Sequence, residues 1–292
     1  MESTILLSLG LELGGGKSAR TSLVVLKYFA EEKKIFLSEI HSQVQANKNA
    51  TGDETLLALL RDYKTDVLAV HAPLQLAPCI SCKENICPRF ENCDVPSVKW
   101  MRDEAKSLKL TPQKTPTPYT QRPVDLYLRS RVQKDLPIDI PFEETLGAGQ
   151  APLAARMQYL KRHLNGKKIL ETNPRVIIAA IASWFRISQR ELRRYRDIED
   201  GAQNRMLILE AMSRNEISAA IPSLFLYNRD AVLLAKDIDA FDAFLSALMP
   251  IYEQAGLLRS FDNDYDVNWG TIALPQVNSL LFAENDEKNF LL

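Results

Sequence analysis

The sequence predicts an α/β fold on a mixed sheet. Three observations carry that prediction: strand-length apolar runs near the N-terminus, an amphipathic helix after them, and a further short apolar run after the helix. Thr4 to Leu13 is apolar, short for a helix, and stops at Gly14-Gly15-Gly16, which reads as a buried strand. Ser22 to Phe29 and Lys34 to His41 follow, joined by Ala30-Glu31-Glu32-Lys33, a link of hairpin length, so the three runs read as an antiparallel meander. Glu54 to Tyr63 sets Leu56, Leu59, Leu60 and Tyr63 on one helical face behind Gly52-Asp53, and Val67 to His71 is the next strand. A helical crossover most often returns parallel to an existing strand, which makes the sheet mixed.

From Pro73 to Pro123 the pattern breaks, first at Cys79, Cys82, Cys87 and Cys93, then at Pro112, Pro116, Pro118 and Pro123, and regular structure is not expected there. Residues 78–123 are read as a cysteine-rich, proline-rich metal-binding subdomain inserted in one domain spanning residues 1–292. Helical patterns resume at Val124 to Lys134 and at Pro152 to Leu164, where Leu153, Met157, Leu160 and Leu164 share a face. Lys168 to Thr172 is a strand candidate, Pro174 to Met212 reads as mostly helical, Asp239 to Gln254 as a long helix, and Val267 to Leu274 as a closing strand.

Composition narrows the function classes. With 292 residues, 46% of them hydrophobic, and 36 Lys plus Arg against 37 Asp plus Glu, the chain reads as globular, and its net charge of −1 means that any nucleic acid is held by a local patch. No run reaches the roughly 18 apolar residues of a membrane span, and Met1-Glu2-Ser3-Thr4 lacks the basic start of a signal peptide, so a cytoplasmic protein without membrane contact is expected. In a reducing compartment the spacing Cys-x2-Cys-x4-Cys-x5-Cys reads as a metal site, with Zn²⁺ first and a 4Fe-4S cluster, which uses the same four thiolates, as the alternative.

Gly14 to Ser18 looks superficially like a phosphate loop, but Leu11 stands where that loop needs its first glycine, so a glycine hairpin with an exposed Lys17 is the preferred reading. The carboxylates are better placed. Glu12 lies inside the first strand, Glu171 at the end of a later one, and Asp239 and Asp242 three apart at the start of the last long helix. Taken singly each has an ordinary explanation, the helix dipole for the two aspartates; jointly they suggest a divalent-cation site. Arg186, Arg190, Arg193, Arg194 and Arg196 read as a solvated helix face paired with Glu191, Asp197 and Glu199, and Lys161, Arg162, Lys167 and Lys168 form a second basic cluster.

Four segments together resemble the domain-of-unknown-function family 429: Val67-Leu68-Ala69-Val70-His71-Ala72-Pro73-Leu74, Leu170-Glu171-Thr172-Asn173-Pro174, the helix start Asp239 to Leu248, and Trp269-Gly270-Thr271-Ile272-Ala273-Leu274-Pro275. The resemblance implies an RNase H-like fold, three antiparallel strands then two parallel ones flanked by helices, and a predicted nuclease. It assigns the first-strand acid to Glu12, a Glu-x-x-Pro-like position to Glu171, and the final-helix acid to Asp242 with Asp239 beside it, around Mg²⁺ or Mn²⁺. Two departures stand out. Glu12 replaces the usual Asp, and His71 replaces the acid before Ala72-Pro73-Leu74. Imidazole ligates Mn²⁺ or serves as a base more readily than it binds Mg²⁺.

The expected activity is therefore divalent-metal-dependent hydrolysis of DNA or RNA, with Glu12, Glu171 and Asp242 as ligands, Asp239 in support, and His71 as ligand or proton shuttle. The alternative is a zinc- or iron–sulfur-containing nucleic-acid or protein-binding module that kept the fold without the chemistry. A third reading, a kinase related to the actin-like members of this fold, needs Gly14 to Ser18 for phosphate and is weakened by the missing first-strand Asp.

Overall fold

The computed structural model describes residues 5–15, 20–65, 67–147, 149–214 and 220–277. Its centre is a six-stranded mixed sheet. The strands are β1 (Ile5–Glu12), β2 (Ser22–Phe29), β3 (Lys34–His41), β4 (Val67–His71), β5 (Lys168–Glu171) and β6 (Ser223–Phe225), in the spatial order β5-β4-β1-β2-β3-β6. The meander β1-β2-β3 is antiparallel, while β4 on β1, β5 on β4 and β6 on β3 are parallel. The helices are α1 (Gly52–Asp62), α2 (Pro96–Ser107), α3 (Pro123–Tyr127), α4 (Gln150–Lys161), α5 (Pro174–Phe185), α6 (Gln189–Arg193), α7 (Gly201–Arg214), α8 (Asn228–Lys236) and α9 (Ile238–Gln254). No helix among the described residues is long and apolar enough to cross a membrane.

Strand alternation divides the interior into two cores. Leu9, Leu11, Leu23, Val25, Leu68 and Val70 face α1 and α4, where Leu56, Leu60, Met157 and Leu160 meet them. Val24, Leu26, Ile35 and Leu37 face the other way, onto α9 and α5. The sheet thus lies between two helical layers. On the α9 side β1 presents Ser8, Gly10 and Glu12. Ser8 Oγ donates to the Ala247 carbonyl at 2.6 Å, and a Cβ added at Gly10 would stand 2.0 Å from the Ala243 carbonyl oxygen. The missing side chain lets the α9 backbone lie directly on β1, which brings the first turns of that helix beside Glu12.

Two expectations are corrected and a third is refined. Pro73 to Pro123 does contain regular structure, because the prolines flank a proline-free stretch: α2 starts with Pro96 in its first turn and sends Trp100 and Met101 into the main core. The closing strand at Val267 to Leu274 is instead a 3₁₀ turn, Val267–Trp269, capped by Asp266 and followed by Gly270 at φ +119°; among the described residues the ladder contact nearby is the isolated bridge Leu258 to Pro275. Val124 to Lys134 is helical with a broken pitch, α3 passing into a π turn at Leu128–Val132 and a 3₁₀ turn at Gln133–Asp135. Of the glycine hairpin, Gly16 to Ser18 lies outside the described residues.

Candidate active site

The parallel strands β1, β4 and β5 end together at a cleft of about 380 Å³, lined among others by Glu12, Arg20, His71, Glu171, Arg196 and Asp239. Crevices at the carboxyl ends of parallel strands are the usual ligand sites of α/β sheets. Glu12 and His71 are register partners at the ends of β1 and β4. His71 Nδ1 lies 2.8 Å from Glu12 Oε2, and nothing among the described residues hydrogen-bonds its Nε2. Burial opposes a charged ring there, but the Glu12 charge and hydrogen bond, with Asp242 behind, outweigh it and hold the His71 pKa above its ordinary value.

Asp237 caps α9, its Oδ1 accepting from the Asp239 and Ala240 amides at 3.0 and 3.1 Å, and this fixes the next two acids. Asp239 reaches the cleft and forms a bidentate pair with Arg20 at 3.0 and 3.1 Å. Asp242 is fully buried; Arg196 donates to its Oδ2, while Oδ1 has no hydrogen-bond partner. Burial first, and the Glu12 charge second, push the Asp242 pKa up to about 7 against the pull of Arg196 and His71. Glu12, His71, Asp239 and Asp242 therefore form one electrostatic cluster.

Glu171 is placed differently. It pairs in register with Val70, on the α1 and α4 face, whereas Thr172 turns to the α9 side and bonds Ser246 at 2.9 Å. Its carboxylate takes two bonds from Arg122, both 2.7 Å, and one from the Leu74 amide at 2.8 Å. Arg122 also donates to Asp125 Oδ1, and Thr145 donates to Oδ2 through its hydroxyl at 2.7 Å. Arg122 stays charged despite burial because two carboxylates surround it; removing one partner of such a buried pair costs roughly 3–5 kcal/mol.

Whether these residues suit a divalent cation is tested by their spare valences. Glu171 does not fit as a ligand: three donors already hold it, two of them from Arg122, whose charge stands against both its oxygens and opposes a cation there. Glu12 and Asp242 do fit: two neighbouring carboxylates, the charge of the first raising the proton affinity of the second, whose buried Oδ1 is orphaned, are the donors a hard cation takes. Cys79 and Cys93 are half-buried free thiols, and Cys82 and Cys87 are exposed. No three His, Cys, Asp or Glu side chains among the described residues already stand in metal-binding geometry.

No family model, curated protein or solved structure matches the chain. The reading of the site thus stands on its geometry.

The functional residues that sequence reasoning missed are the arginines. Arg196, expected on a solvated face, turns inward to Asp242, while Arg194 of the same run keeps a surface pair with Asp200 at 2.7 Å. The one signal for Arg196 was its membership of a basic run; Arg20 and Arg122 come from irregular segments that carry no pattern.

Proposed function

We propose that this chain is a divalent-cation-dependent phosphodiesterase acting on DNA or RNA, built on an RNase H-like fold. Strand order supports the fold reading: β5-β4-β1-β2-β3 has three antiparallel strands followed by two parallel ones, with β6 added beyond β3. The observation that carries the activity is Asp242, buried on α9 beside Glu12 with one carboxylate oxygen unsatisfied.

The chain's own residues divide the work. Glu12 holds the Nδ1–H of His71, which fixes the tautomer and leaves Nε2 to take a proton from the attacking water. Arg20 and Arg196 line the cleft and supply the positive charge that a phosphodiester needs in a chain of net charge −1. Arg122 and Leu74 hold Glu171 as a fixed wall rather than a ligand. A divalent cation held by Asp242 and the second oxygen of Glu12 would polarise a phosphoryl oxygen.

A second reading is favoured by a different observation: each site carboxylate already has a cationic partner, His71 for Glu12, Arg20 for Asp239, Arg196 for Asp242 and Arg122 for Glu171. On that reading the site is a binding module without catalysis. Labelled single-stranded and duplex DNA and RNA, incubated with Mg²⁺ or Mn²⁺, separate the two. The nuclease reading expects cleavage by the native protein and a fall of roughly 10²- to 10⁴-fold for His71→Ala, the usual span for losing a general base. Retention of oligonucleotide without cleavage in either metal supports the module instead.

A further inference from the structure

We propose that Cys79, Cys82, Cys87 and Cys93 bind one Zn²⁺ as a four-thiolate structural site that fastens the loop between β4 and α2 to the rim of the cleft. The loop has nothing else to hold its middle. Every residue from Ile80 to Arg89 is exposed, including Ile80 and Ile86, the latter 85% exposed, so burial of apolar surface contributes almost nothing there. Segments too small to bury a core are commonly fixed by disulfides or a structural metal, and four thiols in a fifteen-residue stretch are what a tetrahedral Zn²⁺ requires.

The ends of the stretch are already anchored. The Cys79 amide donates to the Pro118 carbonyl at 2.9 Å, and Arg102 of α2 donates to the Phe90 and Cys93 carbonyls at 2.9 and 3.0 Å. The outer thiols are thus set by the frame, while Cys82 and Cys87 ride on backbone with no packing to oppose their closing onto a shared ion. Binding follows a simple balance: each thiol releases its proton to solvent, and four thiolates displace the water around Zn²⁺ to give a site of net charge −2. Lys83, Arg89 and Arg102 lie within or against the loop to offset that charge.

The anchoring has a consequence for the cleft. Leu74, whose amide holds Glu171, precedes Cys79 by five residues, and Arg122 follows Pro118 by four. A metal that fixes Cys79 therefore fixes both segments that clamp Glu171, independently of whether the cleft is a nuclease.

The test uses the full chain purified anaerobically under reducing conditions without chelator. One Zn²⁺ per chain by plasma mass spectrometry is expected, with thiols slow to alkylate until chelator is added. Replacing the zinc by Co²⁺ in the native protein should give an intense thiolate-to-cobalt charge-transfer band. Cys87→Ser should lose the metal and become sensitive to protease within residues 80–92, while far-ultraviolet dichroism of the main sheet persists. If that variant does not accumulate, the cobalt spectrum of the native protein decides alone. Zinc-free protein with four freely alkylated thiols, disulfides between them, or iron with acid-labile sulfide would each overturn the proposal.

Discussion

Asp242 has two neighbours of opposite sign, and the balance between them sets a pH dependence. Its pKa is raised from an ordinary 3.8 to about 7, first by burial and next by Glu12, so the folded protein binds a proton there more tightly than the unfolded chain does. Stability from this group is therefore greatest at low pH and is lost as pH rises from about 4 towards 7, where the buried carboxylate ionises. His71 has the same sign: its raised pKa gives stability below the unfolded value, lost as pH climbs through the folded one. In protein stripped of divalent cations, Asp242→Asn should thus gain in melting temperature relative to the native chain as pH is raised from 5 to 8. A difference that is constant across that range would mean that Asp242 is already ionised at pH 5 in the folded state and that its pKa is not raised. On the proposed function, the same ionisation predicts cation binding that strengthens as pH passes about 7.

Among the elements, α9 carries the site because β1 lets it approach. A Cβ at Gly10 would lie 2.0 Å from the Ala243 carbonyl oxygen and 2.3 Å from the Ala247 amide nitrogen, both backbone atoms that cannot rotate away. Gly10→Ala must therefore push the helix off the strand. Overpacking a core costs typically about 1–3 kcal/mol and more where backbone has to move, so a loss at or above the top of that range is expected in urea denaturation, together with a weaker Glu12–Asp242 coupling. A loss under about 1 kcal/mol would place α9 farther from β1 than described. The meander and α1 were legible in the sequence because their periodicities are clean, while the Thr51 capping box to Glu54, which starts α1 at Gly52, went unread. β6 was not, since three residues carry no period, and α2 was hidden by the prolines around it.

Across the whole molecule, the acids and His71 were readable and the arginines that pair with the acids were not. Glu12 and Asp242 sit on regular elements, where a charge in a strand or at a helix start is conspicuous. Arg20, Arg122 and Arg196 arrive from loops or a helix cap far apart in the chain, and only the fold shows which acid each one meets. Glu171 shows the converse limit: its position at a strand end was visible, but strand alternation turns it to the other face, where Arg122 occupies both its oxygens. The proposed activity requires a cation held between β1 and α9. Titration of Mn²⁺ into the native protein and into Asp242→Asn, followed by calorimetry, tests that claim without assuming a substrate. One Mn²⁺ bound by the native chain and at least tenfold weaker binding by the variant, about 1.4 kcal/mol, is the predicted result; absence of binding, or equal binding by both proteins, would contradict it.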